Sequence, residues 1–150
     1  LDLLGDHAKD FVVSVTASDL DGDVLEVARQ GVYERERLRH IPPGYQVRFV
    51  QQVGEGRFEM APEVKRLVRF QKSSLFEPAP FRVMDLIMCR NVFIYFDRDQ
   101  QVRVLENFWN SLARGGYLVL GRSEKLAPEM AAKFEPIVGR ERIYRRPPRA

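Results

Sequence analysis

Residues 81–120 contain two apolar segments on either side of one strongly amphipathic helix. Residues 81–89 are almost continuously apolar, as expected of a strand that is buried on both faces of a sheet. A helix is predicted after Asp97 and Asp99, because apolar residues recur at spacings of three and four until Gly115 and Gly116. The strand pattern resumes at residues 117–120. The order strand, helix, strand predicts a parallel β-α-β unit.

The rest of the chain continues this alternation of strands and helices. Residues 11–16 are predicted to be a strand, and the next helix should be capped by Asp21 or Gly22 and stopped by Gly31. Further elements are expected in the order short helix (33–38), small β-hairpin (45–60), helix opened by Pro62, strand (68–70), helix (128–133) and closing antiparallel hairpin (134–138 and 142–146). The pattern predicts an α/β fold with a mostly parallel sheet.

Composition excludes several classes of protein. No apolar run reaches the roughly 20 residues that span a bilayer, so membrane insertion is not expected, and no secretory signal opens the sequence. The single cysteine, Cys89, excludes an internal disulfide and fits a small buried hydrophobe better than a reactive thiol. A cytoplasmic location is therefore expected. His7 and His40 lack metal-ligand partners at suitable spacing, so no metal site is predicted.

Five arginines lie in the last eleven residues, RERIYRRPPRA. Such a segment can bind nucleic acid, but no RNA-binding motif or zinc module accompanies it. We therefore expect a solvated, partly frayed terminus, and nucleic acid is not an expected partner.

Polar side chains follow three of the predicted strands. Asp19 and Asp21 follow the first, Arg90 and Asn91 follow the strand at 81–89, and Ser123-Glu124 follow the next. Because ligands bind beyond the carboxyl ends of parallel strands, these groups are candidates for one shared crevice. A carboxylate there can bind ribose hydroxyls, and an asparagine amide can bind an adenine edge or an amino-acid group.

Each candidate also has a structural alternative. Asp21, and less readily Asp19, can be a helix cap, and Asn91 can satisfy loop backbone groups. Tyr95 can be a core aromatic residue whose hydroxyl reaches the surface.

The segments ASDLDGDVLEVARQGVY, DLIMCRNVFIYFD, LARGGYLVLGRSEKL and RIYRR resemble successive blocks of the CheR family, the chemotaxis receptor methyltransferases. The resemblance runs from about Phe11 to Tyr144. It implies a class I S-adenosylmethionine-dependent methyltransferase fold, Rossmann-like, with a small β-hairpin insertion. It also implies methylation of glutamate side chains on chemoreceptors, with S-adenosylhomocysteine as the product.

The resemblance assigns roles to particular residues. Asp19 matches the ribose-binding acid, and Tyr95 matches the tyrosine near the transferable methyl group. Ser74 and Leu75 match an Asn-Leu pair, with serine in place of asparagine, and the residues matching the segment that lines the cofactor are Arg90, Asn91 and Val92. Arg122 stands where the family usually has a histidine. The hairpin at 45–60 matches an insertion that can hold a receptor tail by strand addition.

The family's first strand and its glycine-rich loop have no counterpart in this sequence. Residues 1–150 are therefore expected to form a partial CheR-like methyltransferase domain, with 45–60 as a small β-hairpin subdomain. In the sheet that the resemblance implies, the missing strand would lie between two strands present here. We expect an N-terminal segment of a longer protein or another chain to complete the sheet, and the alternative is that the two neighbouring strands pair directly.

Two other functions remain open at this level. The changes at Ser74 and Arg122, together with the absent loop, also fit a degenerate CheR-like module that binds a receptor or regulator without catalysis. A basic nucleic-acid module is the weaker possibility, and its binding would fall steeply with salt.

Overall fold

The computed structural model describes residues 2–78 and 83–148. These residues form two compact units, an N-terminal unit (Leu1–Ser73) and a C-terminal unit (Ser74–Ala150). Within residues 2–78 and 83–148, none of the helices combines the length and apolar character needed to cross a membrane.

The N-terminal unit begins with a 3-10 helix at Asp2–Asp10 and contains two small sheets. Its strands are β1 (Val15–Asp19), β2 (Val32–Glu34), β3 (Val50–Gly54), β4 (Arg57–Met60) and β5 (Val68–Lys72). Its α-helices are α1 (Gly22–Gln30), α2 (Arg35–Leu38), α3 (Pro43–Phe49) and α4 (Pro62–Lys65). Strands β1 and β5 are parallel, with Asp19 opposite Lys72, and the other sheet is antiparallel in the order β2-β4-β3.

Helix α1 begins and ends where the sequence predicts. The Asp21 carboxylate accepts hydrogen bonds from the backbone N–H groups of Asp23 (2.8 Å) and Val24 (3.4 Å), which satisfies donors that lack a helical partner. Gly31 ends the helix with φ 66°, a left-handed conformation that glycine adopts without steric cost. The interpretation of Asp21 as a helix cap is confirmed.

Three predictions in the N-terminal unit are wrong in detail. The first strand covers Val15–Asp19 rather than residues 11–16. Residues 33–38 are not one short helix, because Tyr33 and Glu34 belong to β2, which pairs with β4. The hairpin does not begin at Tyr45, since α3 covers Pro43–Phe49 and the hairpin is β3 and β4 around Glu55-Gly56. The polar segment at 33–34 takes its structure from β4, with which it pairs. Helix α3 contacts the preceding loop, because the Gln46 side chain donates to the backbone oxygens of Leu38 and Ile41.

The C-terminal unit contains one four-stranded sheet in the order β6-β7-β9-β8. Its strands are β6 (Met84–Cys89), β7 (Leu112–Leu120), β8 (Glu135–Val138) and β9 (Ile143–Arg145). Its helices are a 3-10 turn (Phe93–Tyr95), α5 (Arg98–Ser111), α6 (Pro128–Ala131) and a second 3-10 turn (Gly139–Glu141). Strands β6 and β7 are parallel, which confirms the predicted β-α-β unit, and β8 and β9 form the predicted antiparallel hairpin.

Helix α5 carries the core of this unit. A capping box starts it, because the Asp97 carboxylate accepts from the Gln100 N–H (2.9 Å) and the Gln100 side chain accepts from the Asp97 N–H (3.0 Å). Its apolar face packs with the sheet and α6 in a cluster of buried residues that includes Phe93, Val104, Leu105, Phe108, Leu118, Leu120 and Met130.

Only one face of β6 is buried among the described residues. Cys89 is buried and Ile87 packs against the core, whereas Leu86 is 51% exposed and Met88 is 63% exposed. The prediction of burial on both faces is therefore wrong for this structure, because the core cluster of the C-terminal unit covers only the face of β6 that carries Ile87 and Cys89. Residues 81 and 82 of the predicted strand lie outside the described residues.

The arginine-rich segment is ordered rather than frayed through Arg146. Arg145 pairs with Glu135 at 2.8 Å. The Nη1 atom of Arg146 donates to the backbone oxygens of Trp109 (2.7 Å) and Leu112 (2.5 Å), and its guanidinium lies 4.7 Å from the centre of the Trp109 ring. The expectation of a frayed terminus is wrong as far as Arg146, because Arg146 satisfies backbone oxygens at the carboxyl end of α5. Residues 149 and 150 lie outside the described residues.

Candidate functional site

The carboxyl end of β1 presents Asp19. Its side chain is exposed, and its Oδ1 atom accepts a hydrogen bond from the Asp21 N–H at 2.9 Å. The backbone oxygen of Asp19 accepts from the Ser73 N–H at 3.0 Å, so the backbone here is fixed by the neighbouring strand. Among the described residues Oδ2 has no partner, and this oxygen can accept hydrogen bonds from a ligand.

Ser74 and Leu75 open the C-terminal unit. The Ser74 Oγ atom accepts from the Phe76 N–H at 3.2 Å, which makes a local turn. The Leu75 side chain packs against the core cluster, and its backbone oxygen accepts from the Asn107 side chain at 2.8 Å. Leu75 is therefore held in place by helix α5, and Ser74 by its own turn.

The segment after β6 turns sharply at Asn91. Asn91 has φ 59°, a left-handed conformation that asparagine tolerates better than most residues. The side chains of Arg90 and Asn91 are exposed, whereas Val92 is half-buried against the core. In the part of the chain that the structure describes, neither polar side chain makes a hydrogen bond. Asn91 therefore does not satisfy the loop backbone through its side chain, and both groups are available to a ligand.

Tyr95 lies at the end of the 3-10 turn that follows. Its side chain is 78% exposed, so the alternative of a core aromatic residue is wrong. The turn itself is fixed by its neighbours, because the Gln101 amide donates to the backbone oxygens of Phe93 (3.1 Å) and Phe96 (3.0 Å). A rigid turn thus presents an exposed aromatic hydroxyl.

Glu124 lies beneath the segment that carries Asn91. Its carboxylate accepts hydrogen bonds from four backbone N–H groups, those of Asn91 (2.9 Å), Val92 (2.7 Å), Phe93 (2.7 Å) and Gly121 (2.5 Å). The residue is only 3% exposed. The sequence placed Glu124 among the candidate ligand-facing groups, but the backbone uses both carboxylate oxygens.

Two opposing effects act on the ionisation of Glu124. Burial disfavours the charged form, but the four backbone donors outweigh burial and hold the pKa of Glu124 below its ordinary value. Next to it, burial and then the charge of Glu124 raise the pKa of the Cys89 thiol to about 12. Cys89 is therefore an inert buried thiol, which confirms its interpretation as a small hydrophobe.

Gly121 brings the ends of β6 and β7 together. A Cβ atom at this position would lie 2.6 Å from Glu124 Oε2 and 2.7 Å from Asn91 Oδ1. Only glycine leaves room for both groups. The residues that follow these two strands therefore lie close together, although Glu124 acts on the backbone rather than on a ligand. That they line one ligand crevice stays a prediction.

An open cleft of about 450 Å³ lies beside the turn. Phe93 and Ile94 border it on one side, and Ser123 to Pro128 border it on the other. Arg122 pairs outside this cleft with Glu141 at 3.0 Å. Among the described residues, no group of three or more His, Cys, Asp and Glu side chains is arranged to hold a metal ion.

The structure brings together the candidates that follow β6 with Gly121 and Glu124, all in the C-terminal unit, whereas Asp19 belongs to the N-terminal unit. That Asp19 and Asn91 share one crevice stays a prediction. The roles of Glu124 and Gln101 were not predicted. The one sequence signal for Glu124 is its position three residues after Gly121, the glycine that follows β7.

Comparison with known proteins gives a consistent result. The model of a family described as "CheR methyltransferase, SAM binding domain" matches residues 2–143. A chemotaxis protein methyltransferase of Vibrio parahaemolyticus is 40% identical over 127 residues, which cover 83% of this chain and 46% of the relative. Chemotaxis protein methyltransferase 2 of Pseudomonas aeruginosa is 39% identical over 118 residues, covering 75% of this chain and 42% of the relative. The relative in Borreliella burgdorferi, also a chemotaxis protein methyltransferase, is 34% identical over 118 residues, with 77% and 42% covered. The chain thus spans about half the length of these curated relatives.

Proposed function

The chain belongs to the CheR methyltransferase family, and on this premise we propose that it serves the methylation of glutamate side chains on chemoreceptors during chemotaxis. S-adenosylmethionine is the cofactor of this family domain. The observation that carries the proposal is the turn after β6. Its backbone is fixed by the buried Glu124 carboxylate, while Arg90, Asn91 and Tyr95 face solvent.

The described residues fit this cofactor. Asp19 offers an exposed carboxylate oxygen that can accept from ribose hydroxyls. Asn91 offers a donor and an acceptor that suit the adenine edge or the amino-acid group. Arg90 and Val92 flank it, and Ser74 and Leu75 would line the site with a hydroxyl and an apolar surface. When bound, S-adenosylmethionine supplies a methyl group that is made electrophilic by the neighbouring sulfonium.

The reaction requires little acid–base catalysis from the protein. A glutamate carboxylate is ionised at pH 7 and is already a competent nucleophile, so no strong general base is needed. The contribution of this chain is then to orient the reacting groups and to exclude water. Tyr95, exposed at the end of a fixed turn, would border the space where the methyl group is transferred.

Titration calorimetry with S-adenosylhomocysteine tests the cofactor site. The protein should be used as encoded, with any sequence that flanks residues 1–150. We expect Asp19→Ala to weaken binding about 10- to 100-fold, because hydrogen bonds to a charged acceptor are worth about 1.5–3 kcal/mol each. Asp99→Ala, which removes an exposed aspartate in the first turn of α5, is the matched control and should bind normally. Unchanged affinity in Asp19→Ala would exclude Asp19 from the site.

A methyl-transfer assay separates an enzyme from a non-catalytic binding module. Labelled S-adenosylmethionine is incubated with the cytoplasmic part of a chemoreceptor, and the product is treated with base. Glutamate methyl esters release methanol under these conditions. Binding of the cofactor without base-labile label on the receptor would contradict the proposed methyl transfer.

The three-stranded sheet offers a place for a receptor tail. Strand β3 is at an edge of the order β2-β4-β3, and its residues 51–54 are exposed. An extended peptide can add to such an edge through backbone hydrogen bonds. Binding of a peptide that copies the receptor's C-terminal tail, measured with and without Gln52→Pro, tests this partner. Equal affinity in both proteins would exclude the β3 edge.

A further inference from the structure

Glu124 is the one charged residue that is buried among the described residues. It is only 3% exposed, and all four of its hydrogen bonds come from backbone N–H groups rather than from a cationic side chain. A buried carboxylate is costly unless its oxygens are fully hydrogen-bonded. The arrangement therefore fixes the backbone at the three consecutive residues Asn91, Val92 and Phe93.

The segment fixed in this way leads directly into the turn that carries Tyr95. The Tyr95 N–H donates to the Val92 oxygen at 3.2 Å, which links the turn to the residues that Glu124 holds. Gln101 holds the same turn from its carbonyl side through Phe93 and Phe96. The placement of Asn91 and Tyr95 thus depends on one carboxylate that reaches neither side chain directly.

We propose that Glu124 is a positioning residue for methyl transfer, because its carboxylate sets the backbone that places Asn91 and Val92 against the cofactor and Tyr95 beside the methyl group. This inference rests on the proposed function. The inference goes beyond a stabilising role for Glu124. It states that Glu124 determines the positions of the Asn91 and Tyr95 side chains, although the carboxylate contacts neither of them.

The test compares Glu124→Gln with Glu129→Gln in the protein as encoded. Glutamine keeps the size of Glu124 but has only one acceptor oxygen, so two of the four N–H groups lose their acceptor. Glu129 pairs on the surface with Arg98 at 2.7 Å, and its substitution is the matched control. We expect Glu124→Gln to weaken binding of S-adenosylhomocysteine at least about tenfold, as the loss of one charged hydrogen bond would, and Glu129→Gln to bind normally.

Cofactor affinity measured together with amide hydrogen exchange provides the readout that a merely structural role would not move, because affinity should fall although the rest of the C-terminal unit stays as protected as in the wild type. In Glu124→Gln the amides of residues 91–93 should exchange faster, while those of β7 and α5 keep the protection they have in the wild type. Wild-type affinity for S-adenosylhomocysteine in Glu124→Gln, with residues 91–93 exchanging faster, would overturn the inference.

The possible outcomes separate the two proposals. If the wild type does not bind S-adenosylhomocysteine, the proposed function fails and this inference fails with it. If the wild type binds and a folded Glu124→Gln binds equally well, only the inference fails. If Glu124→Gln does not fold, the wild-type amide signals decide: S-adenosylhomocysteine must shift those of Asn91, Val92 and Phe93, and unchanged signals overturn the inference.

Discussion

Gly121→Ala should destabilise the C-terminal unit although it adds only one methyl group. The new Cβ would lie 2.6 Å from Glu124 Oε2 and 2.7 Å from Asn91 Oδ1, well inside an ordinary contact of about 3.5 Å. The exposed Asn91 side chain can rotate away. Glu124 cannot move without loosening its hydrogen bonds from the N–H groups of Gly121 and Asn91.

The magnitude follows from these two effects. Overpacking of this kind costs about 1–3 kcal/mol, and weakening one hydrogen bond to a charged acceptor adds about 1.5 kcal/mol. We therefore expect Gly121→Ala to lower the free energy of unfolding by about 2.5–4.5 kcal/mol. Urea unfolding followed by far-ultraviolet circular dichroism and by the fluorescence of Trp109 measures this loss.

Gly44→Ala is the control for this substitution. A Cβ at Gly44 would meet no atom within 4 Å, and alanine favours helix α3 over glycine. This variant should be as stable as the wild type or slightly more stable. A Gly121→Ala protein with the wild-type urea midpoint and slope would refute the close packing of Gly121, Asn91 and Glu124.

Three further predictions concern ionisation, capping and reactivity. The folded pKa of Glu124 lies below its ordinary value of 4.5, so the stability that its charged form contributes should be complete above pH 4.5 and lost as the pH falls through the folded pKa. The difference in urea midpoint between wild type and Glu124→Gln should therefore shrink in acid. A constant difference from pH 7 to pH 3 would contradict this assignment. Asp21→Ala should cost about 1 kcal/mol in the same urea assay, because it removes the cap of α1, whereas equal stability would show that the cap contributes nothing. The folded protein should react with a thiol reagent at pH 8 much more slowly than in urea, because the pKa of Cys89 is raised to about 12, and equal rates would show that the thiol is accessible.

Local sequence signals predicted the elements that depend on local chemistry. The cap and stop of α1, the capped helix α5 and the closing hairpin β8–β9 all follow from residues within a few positions of each element. The prediction of a helix at 33–38 was wrong because Tyr33 and Glu34 form a strand by pairing with β4, a partner more than twenty residues away. The predicted burial of β6 on both faces was wrong for a related reason. An apolar sequence shows that a strand is at least partly buried, but not whether one or both of its faces are covered.

The candidate site divides in the same way. The position of Arg90, Asn91 and Tyr95 after β6 was predictable, since strand ends are marked by a change from apolar to polar residues. The hydrogen bonds from the backbone of residues 91–93 to Glu124 were not predictable, because they require the register of β6 against β7 and the left-handed φ of Asn91. Similarly, Arg146 bonds to backbone oxygens at the end of α5, a contact between segments that are distant in the sequence. Composition alone indicated only a solvated arginine-rich tail.

The cost of burying Glu124 is itself a reason to place a ligand at the turn after β6. A connection between a strand and a helix needs no buried charge, because water can satisfy the N–H groups of an exposed loop. Here a buried carboxylate satisfies three consecutive N–H groups, while the Arg90 and Asn91 side chains remain exposed. Fixing the backbone without using its polar side chains reduces the entropy that a ligand must overcome when it binds them. The buried Phe93 N–H needs an acceptor in any case, but fixing Asn91 and Val92 as well is preorganisation of the kind that benefits a binding site.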